Sequence, residues 1–523
     1  MKQPNMKHAN PVYLTAEIRK IEEIATARPD PPKLMEKAGL AAAHIAAERL
    51  LTKNLNKVLI LAGPGNNGGD ALVAARYLKQ WQFVVTLVFT GIRERLSNDA
   101  QQALDAWLTV GGEISSQIPT NEKWDAVIDG LFGIGLGQPK ARNLDGKYLD
   151  LVNTVNDMDS PVLSLDVPSG LGCENGCVYG AAIQATLTVT FIGLKPGLLT
   201  NDGFEYCGEI LVRDLELDVP ALLPPHTWTT NPASVQRLLP LPRPANSHKG
   251  TFGSIGIIGG STGMVGAALL AGKAALKLGA GRVYLGLIAH NSPTVDPTQP
   301  ELMLRTPHEL FTLQHLSCLV VGPGLGMGSN TDAWIDCALG TKLPLVLDAD
   351  ALNQIATHTQ LAKKLQQRQY PTIITPHPTE AARLLNENTA IIQNDRMAAA
   401  SKLAQYYHCY TVLKGAGSIC ASPENKRYIN CSGNPGLSSA GTGDVLSGII
   451  GALLAQGLHA ENALLLGVYL HGAAADILLE KQGGPIGMTA SEIINSACNL
   501  LNNWIYCTPG NICRRHDVID NLD

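Results

Sequence analysis

Short apolar runs, glycine-bearing loops and amphipathic stretches alternate along the whole chain. In the first half the runs are Val58–Ala62, Phe83–Phe89, Ala126–Asp129, Val162–Asp166 and Leu187–Phe191. Their hydrophobicity is nearly continuous instead of alternating, which predicts strands buried on both faces of a parallel sheet covered by helices. In the second half the runs are Ser254–Ile258, Val283–Ile288, Cys318–Val321, Leu345–Leu347, Thr372–Ile374 and Thr411–Leu413. Strands interleaved with helices predict an α/β fold in both halves. Ahead of the first strand, Ile18, Ile21 and Ile24 share one face of a helix that Thr15 is placed to cap.

The pattern breaks once. Val219–His248 carries Pro220, Pro224, Pro225, Pro232, Pro240, Pro242 and Pro244. That density reads as an extended connector with one short helix around Pro232–Leu239. The division therefore falls near residue 225, giving domains 1–225 and 226–510; 523 residues are in any case too many for one compact core.

Composition narrows the class further. Only 16% of residues are charged and the net charge is −5, so no global basic field is available for nucleic acid or an anionic membrane. Met1–Pro11 lacks an apolar signal core, and Val445–Leu458 is interrupted by Gly448, Gly451, Gln456 and Gly457. A soluble cytoplasmic protein is expected. The eleven cysteines are scattered, and Cys173 and Cys177 lack a second pair to complete a zinc site, so they read as reduced thiols.

Three strands of the first half end in polar loops, where an open parallel sheet binds ligands. They are Gly63-Pro64-Gly65-Asn66-Asn67-Gly68-Gly69-Asp70 ahead of a helix Ala71–Leu78, Asp129-Gly130-Leu131-Phe132-Gly133-Ile134-Gly135-Leu136-Gly137, and Asp166-Val167-Pro168-Ser169-Gly170. The first offers backbone N–H groups at a helix N-terminus, an anion site. Asn67, Asp129 and Ser169 could converge as oxygen ligands for a hard cation. The competing reading is that asparagine and glycine merely build turns while Asp70 caps the helix.

In order and spacing these loops resemble the YjeF N-terminal domain, a Rossmann-like, three-layer family that epimerises the R and S forms of NAD(P)H hydrate. The resemblance implies that Asn66, Asn67, Gly68, Gly69 and Asp70, with Gly133, Ile134, Gly135, Leu136, Gly137, Gln138 and Pro139, hold the hydrate. It further implies potassium on Asn67, Asp129 and Ser169, and Asp166 as the catalytic group nearest the reacting carbon. Lys195 in Gly193-Leu194-Lys195-Pro196-Gly197 also matches, against the alternative of a solvated loop lysine.

In the second half Gly441-Thr442-Gly443-Asp444 opens onto a helix Val445–Leu454, an anion hole with a carboxylate in its mouth. Such a carboxylate can take a proton from a hydroxyl attacking phosphorus, although Asp444 is equally a good cap. Further loops close the other runs: Gly259–Ala267, Gly322–Gly326, Asp348–Leu352, Thr375–Glu380, Lys414–Gly417 and Asn434–Gly436. As a set they resemble the ribokinase-like α/β/α fold and, within it, the ADP-dependent NAD(P)H-hydrate dehydratases; Leu501–Asp523 lies outside both resemblances. This implies Asp444 as base and Gly443 with Lys414, Gly415, Ala416, Gly417 and Ser418 around ADP, magnesium offsetting charge on the transferring group. It places Ala267, Gly324, His377 and Asp444 at the hydrate. His377 also reads as a satisfied turn histidine, Asp348 as a cap for a helix Ala351–Ala356, and Asp350 as either.

One departure stands beside the turn. Gly436-Leu437-Ser438-Ser439-Ala440 replaces the Gly-Met-Ala-Thr-Gly usual in the family, and Ala440 would be strained if it required φ > 0. The two resemblances together predict a bifunctional lyase and isomerase acting on NAD(P)H hydrate and ADP, and a homo-oligomer. A vitamin or sugar hydroxymethyl kinase and a non-catalytic binding scaffold are the competing functions.

Overall fold

The computed structural model describes residues 10–507 other than 53, 120–121, 136–142, 145 and 329. The chain forms two compact units, one spanning Asn10–Trp228 and the other beginning at Thr229.

The N-terminal unit is built on a parallel sheet. Its strand order is Val84–Phe89, Lys57–Ala62, Ala126–Gly130, Val162–Leu165, Leu187–Phe191, Glu209–Arg213. Val58, Ile60 and Ala62 point into one apolar cluster while Leu59 and Leu61 point into another. Both faces are thus covered, which is why the run in the sequence is continuous. The chain passes from Lys57–Ala62 to one neighbour and then returns to the other, Ala126–Gly130. This makes a topological switch point, the place where the loops after two strands separate and leave a crevice.

The C-terminal unit repeats the plan on a longer sheet. Arg427–Asn430, Ile419–Ala421, Tyr410–Leu413, Thr372–Ile374, Leu345–Leu347, Cys318–Val321, Ser254–Gly259, Arg282–Leu287 and Met303–Arg305 are successive neighbours. The strands from Tyr410–Leu413 onward are parallel, and the first two join antiparallel. Its switch point lies between Ser254–Gly259 and Cys318–Val321. There the two following loops bond directly: the Gly260 amide donates to Pro323 O at 3.0 Å and the Ser261 amide to Gly324 O at 2.7 Å. The helix Thr442–Ala455 runs against the sheet, almost wholly buried. The helix Ala460–Gln482 has the length and apolarity to cross a bilayer, but most of it is core of this unit.

Several boundaries differ from the sequence expectation. The helix after the first strand spans Asn66–Gln80, so Asn67 to Asp70 are helical residues and Asp70 is not its cap. The first helix is Thr15–Thr26, with Leu14 rather than Thr15 in the capping position; Glu17 there accepts from the Leu14 amide at 2.7 Å. The proline-rich segment holds a strand, Thr227–Thr230, and two short helices, Val219–Leu222 and Pro232–Gln236, each with proline in its first turn. A missing N–H costs nothing at that position. Every described cysteine is a free thiol.

Candidate active sites

At the switch point of the N-terminal unit lies a cavity of about 530 Å³, lined by Asn66, Asn67, Asp70, Gly133, Ile134, Gly135 and Asp166 among others. Leu136, Gly137, Gln138 and Pro139 fall outside the described residues. Gly68 and Gly69 stand behind the cavity. A Cβ on Gly68 would fall 2.0 Å from Gly63 O, so only glycine lets the helix start this close to the preceding turn.

Asp129 and Ser169 lie beneath the floor, both buried. The Asp129 carboxylate accepts from the Ser164 hydroxyl, the Ser169 amide and the Leu131 amide as well as from Ser169 Oγ. Burial raises its pKa above the usual carboxylate range, against the pull of those bonds. Asn67 Nδ2 donates to Phe132 O at 2.8 Å and Leu165 O at 3.1 Å, while Asn67 Oδ1 is buried without a hydrogen-bond partner. Asn67 and Ser169 both bond to the Phe132 backbone, and a buried carbonyl oxygen left without a donor is the kind of ligand a hard cation takes.

Asp166 follows the strand Val162–Leu165 with φ 64°, in a three-residue turn closed by Val167 N to Leu165 O at 2.8 Å. Ile192 does the same after the neighbouring strand, with φ 68° and Gly193 N to Phe191 O at 2.7 Å. Lys195 is not a solvated loop lysine. Only 1% exposed, it donates to Asp166 Oδ1, to Thr190 Oγ1 at 2.9 Å and to Phe191 O at 2.7 Å. Asp166 Oδ2 approaches Gly133 instead, 3.2 Å from where a Cβ would stand. Burial, then the Asp166 charge, raises the pKa of two other carboxyls in the lining, Asp70 and Glu22. Glu22 escaped the sequence reading because its helix precedes every motif, although the amphipathic spacing that buries Ile18 and Ile21 turns Glu22 toward the same side.

In the C-terminal unit the turn residue with the left-handed conformation is Gly441, φ 87°; Ala440 is exposed and its φ is not positive. The strain anticipated at Ala440 is therefore absent. Thr442, Gly443 and Asp444 form the first turn of the helix Thr442–Ala455. Asp444 carries a pKa raised to about 7, first by burial and then by the charge of Asp348, with Lys414 opposing. Lys414 Nζ lies over Gly443, 3.4 Å from the position a Cβ would take, and donates to Asp348 Oδ1 at 3.0 Å. Its amine, not only its backbone, thus faces the anion turn.

Asp348 is not a helix cap: the helix Asp350–Thr357 is preceded by Ala349, and no side chain caps it. Asp350 instead accepts from the Gly326 amide at 2.8 Å and ties two loops together. Gly415 and Gly417 adopt φ 144° and 62°, with Ser418 Oγ closing the turn on Gly415, and Arg396 donates to Ala416 O from below. Ala267 and Gly324 meet across the switch point, a Cβ on Gly324 falling 3.1 Å from that of Ala267. His377 caps its helix, Nδ1 accepting from the Thr379 and Glu380 amides. Burial and then Lys414 lower its pKa below the ordinary imidazole value. His471, unnoticed within a long apolar run, lies buried with its pKa pushed down to about 4 by burial, in contact with the Thr442 backbone.

Each unit matches its own family model: "YjeF-related protein N-terminus" over residues 32–197 and "NAD(P)H-hydrate dehydratase" over residues 255–499. The chain is similar to the bifunctional NAD(P)H-hydrate repair enzyme Nnr of Escherichia coli, 38% identical with 90% of this chain and 89% of that protein covered. The Coxiella burnetii protein of the same name is 37% identical over 94% of this chain and 99% of its own. Among solved structures, an ADP/ATP-dependent NAD(P)H-hydrate dehydratase from Bacillus subtilis, co-crystallised with ATP/Mg²⁺, is 30% identical. It covers 53% of this chain and 98% of its own, with a TM-score of 0.48. On relatives that span both halves at this identity, the chain belongs to the family of bifunctional NAD(P)H-hydrate repair enzymes.

Proposed function

We propose that this chain repairs hydrated NADH and NADPH, epimerising the R and S hydrates in the N-terminal unit and dehydrating the S form at the expense of ADP in the C-terminal unit. The observation that carries this reading is that each unit ends its central strands in a site of its own, and relatives of that name span both.

The hydrate carbon bears both a hydroxyl and the ring nitrogen. Loss of water leaves an iminium cation, and return of water to the other face inverts the centre. A carboxylate beside the cation stabilises it. Asp166 fits that role: Lys195 occupies Oδ1, and Oδ2 is left toward the cavity near Gly133. Asn66 to Asp70 and Gly133 to Gly135 shape the walls around the hydrate. Asn67, Asp129 and Ser169 would hold potassium, whose charge would fix the loops they join; the unpartnered Asn67 Oδ1 supports this.

In the second site Asp444 takes the proton of the hydrate hydroxyl as its oxygen attacks the β-phosphorus of ADP and AMP leaves. Phosphate then departs with its bonding electrons, pushed out by the lone pair of the ring nitrogen, and loss of the neighbouring C–H proton from the resulting iminium restores the dihydropyridine. Products are NAD(P)H, AMP and phosphate. Lys414, Gly415 to Ser418 and Gly443 surround the nucleotide; Ala267, Gly324 and His377 line the hydrate side. The described residues include no cluster of three or more His, Cys, Asp or Glu to hold a metal. Magnesium would therefore enter with the nucleotide phosphates and offset their charge.

The test is to incubate the protein with mixed hydrates, K⁺, Mg²⁺ and ADP and follow the absorbance of reduced cofactor. Complete conversion is expected. Arrest at the S fraction, with no gain over spontaneous epimerisation, would remove the epimerase, and a stable phosphate ester would reveal a kinase.

A further inference from the structure

Asp348 belongs to none of the roles above, yet three parts of the C-terminal site meet on it. It follows the central strand Leu345–Leu347 and is 1% exposed. Oδ1 accepts from Lys414 Nζ at 3.0 Å, at the start of the loop after Tyr410–Leu413. Oδ2 accepts from Ser447 Oγ at 2.7 Å, one turn into the helix that Asp444 opens. Thr375, after the strand between them, gives a further hydrogen bond.

A buried carboxylate with this many donors is ionised. Burial works to raise its pKa, but the Lys414 ammonium and the Ser447 and Thr375 hydroxyls outweigh it and leave the group below its ordinary range. Lys414 responds in kind: burial disfavours the ammonium, Asp348 and Glu380 more than compensate, and its pKa lies above normal. The side chain of Lys414 keeps 22% of its surface exposed while that of Asp348 keeps 2%. The lysine therefore presents a fixed positive charge to the mouth of the turn, and the aspartate remains behind it.

A free lysine has four rotatable bonds and loses their rotamer entropy when a phosphate immobilises it. Held beforehand by Asp348, Lys414 has already lost that freedom. We propose that Asp348 is a positioning residue of the dehydration site: without touching substrate, its carboxylate fixes the Lys414 ammonium over Gly443, where it meets the nucleotide phosphates. This rests on reading the turn as the site of ADP. The titratable groups that interact with Asp348 or Lys414 from the surrounding elements are Glu380, His377, Asp444 and His471.

The experiment measures ADP affinity calorimetrically on the full chain, in wild type, Asp348→Asn, Lys414→Gln and the double variant. Asp348→Asn should weaken ADP roughly tenfold or more, and far less when Lys414 is already glutamine, because one interaction is then lost once. Equal losses in the two backgrounds, or unchanged affinity in Asp348→Asn, would overturn the proposal. A cooperative thermal unfolding transition of the C-terminal unit in each variant reports that the site remains folded. Should Asp348→Asn fail to fold, Ser447→Ala releases one carboxylate oxygen and should still weaken ADP severalfold; no change there counts against the role. A chain that binds ADP through this pair but leaves the hydrate untouched would end the dehydratase reading and keep this one.

Discussion

Asp129 and Ser169 hold each other twice, through Ser169 Oγ at 2.6 Å and the Ser169 amide at 2.8 Å. The third strand end of the N-terminal unit is thereby fastened to the second. Asp129→Asn replaces one acceptor oxygen with a donor that faces other donors. This should destabilise the unit by about 2–4 kcal/mol and raise the potassium concentration that half-activates epimerisation. Denaturant unfolding and a potassium titration check it; unchanged values in both would mean the carboxylate is dispensable.

Lys195→Met leaves Asp166 without its cation in a buried pocket. Epimerisation should fall by roughly 10²-fold or more while dehydration of pure S hydrate is retained. Arginine should not restore it, since a side chain only 1% exposed has no room for a planar fork. Separate assays of the two reactions on one preparation distinguish this from global damage.

Asp444 must be ionised to accept a proton, and its pKa is raised to about 7. The dehydration rate should therefore climb as pH rises through about 7, whereas a flat profile between about pH 5.5 and about pH 8.5 would remove it as the base. Folding runs the other way. A carboxyl whose folded pKa is raised stabilises the protonated native state, and that contribution is lost as pH rises from the ordinary carboxylate range to about 7. Asp444→Asn should abolish dehydration, spare epimerisation and raise the thermal midpoint at pH 8.

Because Ala440 has no positive φ, Ala440→Gly should leave the dehydration rate within about twofold. Gly441→Ala should cost about 1–2 kcal/mol in backbone strain alone. Its new methyl would also fall 2.6 Å from Leu270 Cδ1, adding a packing penalty. Steady-state kinetics and thermal unfolding of the pair would reverse this assignment if Ala440 proved the sensitive position.

The strands were legible because each is buried on both faces and so lacks polar interruption; Val58–Ala62 is one example. Helix starts were less so: Asn66-Asn67-Gly68-Gly69 has the composition of a loop yet is helical, with Gly68 packed against Gly63 where a Cβ would not fit. Asp166, Asp444 and Lys414 stood out through the loops that carry them. The pairings that give those residues their properties did not, although Lys195 and Asp348 lie in loops of the same kind. Asp348 lies 66 positions from Lys414 and 99 from Ser447, and no local pattern announces a pairing across that distance.

Asp166 and Ile192 each leave their strands through a backbone conformation that costs a non-glycine residue about 1–3 kcal/mol. Both line the same cavity. The work of aiming the Asp166 carboxylate is thus completed when the sheet forms, before any substrate arrives, and little reorganisation remains for the moment a positive charge develops. On the role proposed for Asp166, its pairing with Lys195 would need no closing segment to assemble it: the carboxylate and the ammonium are brought together by the two strand ends that carry them.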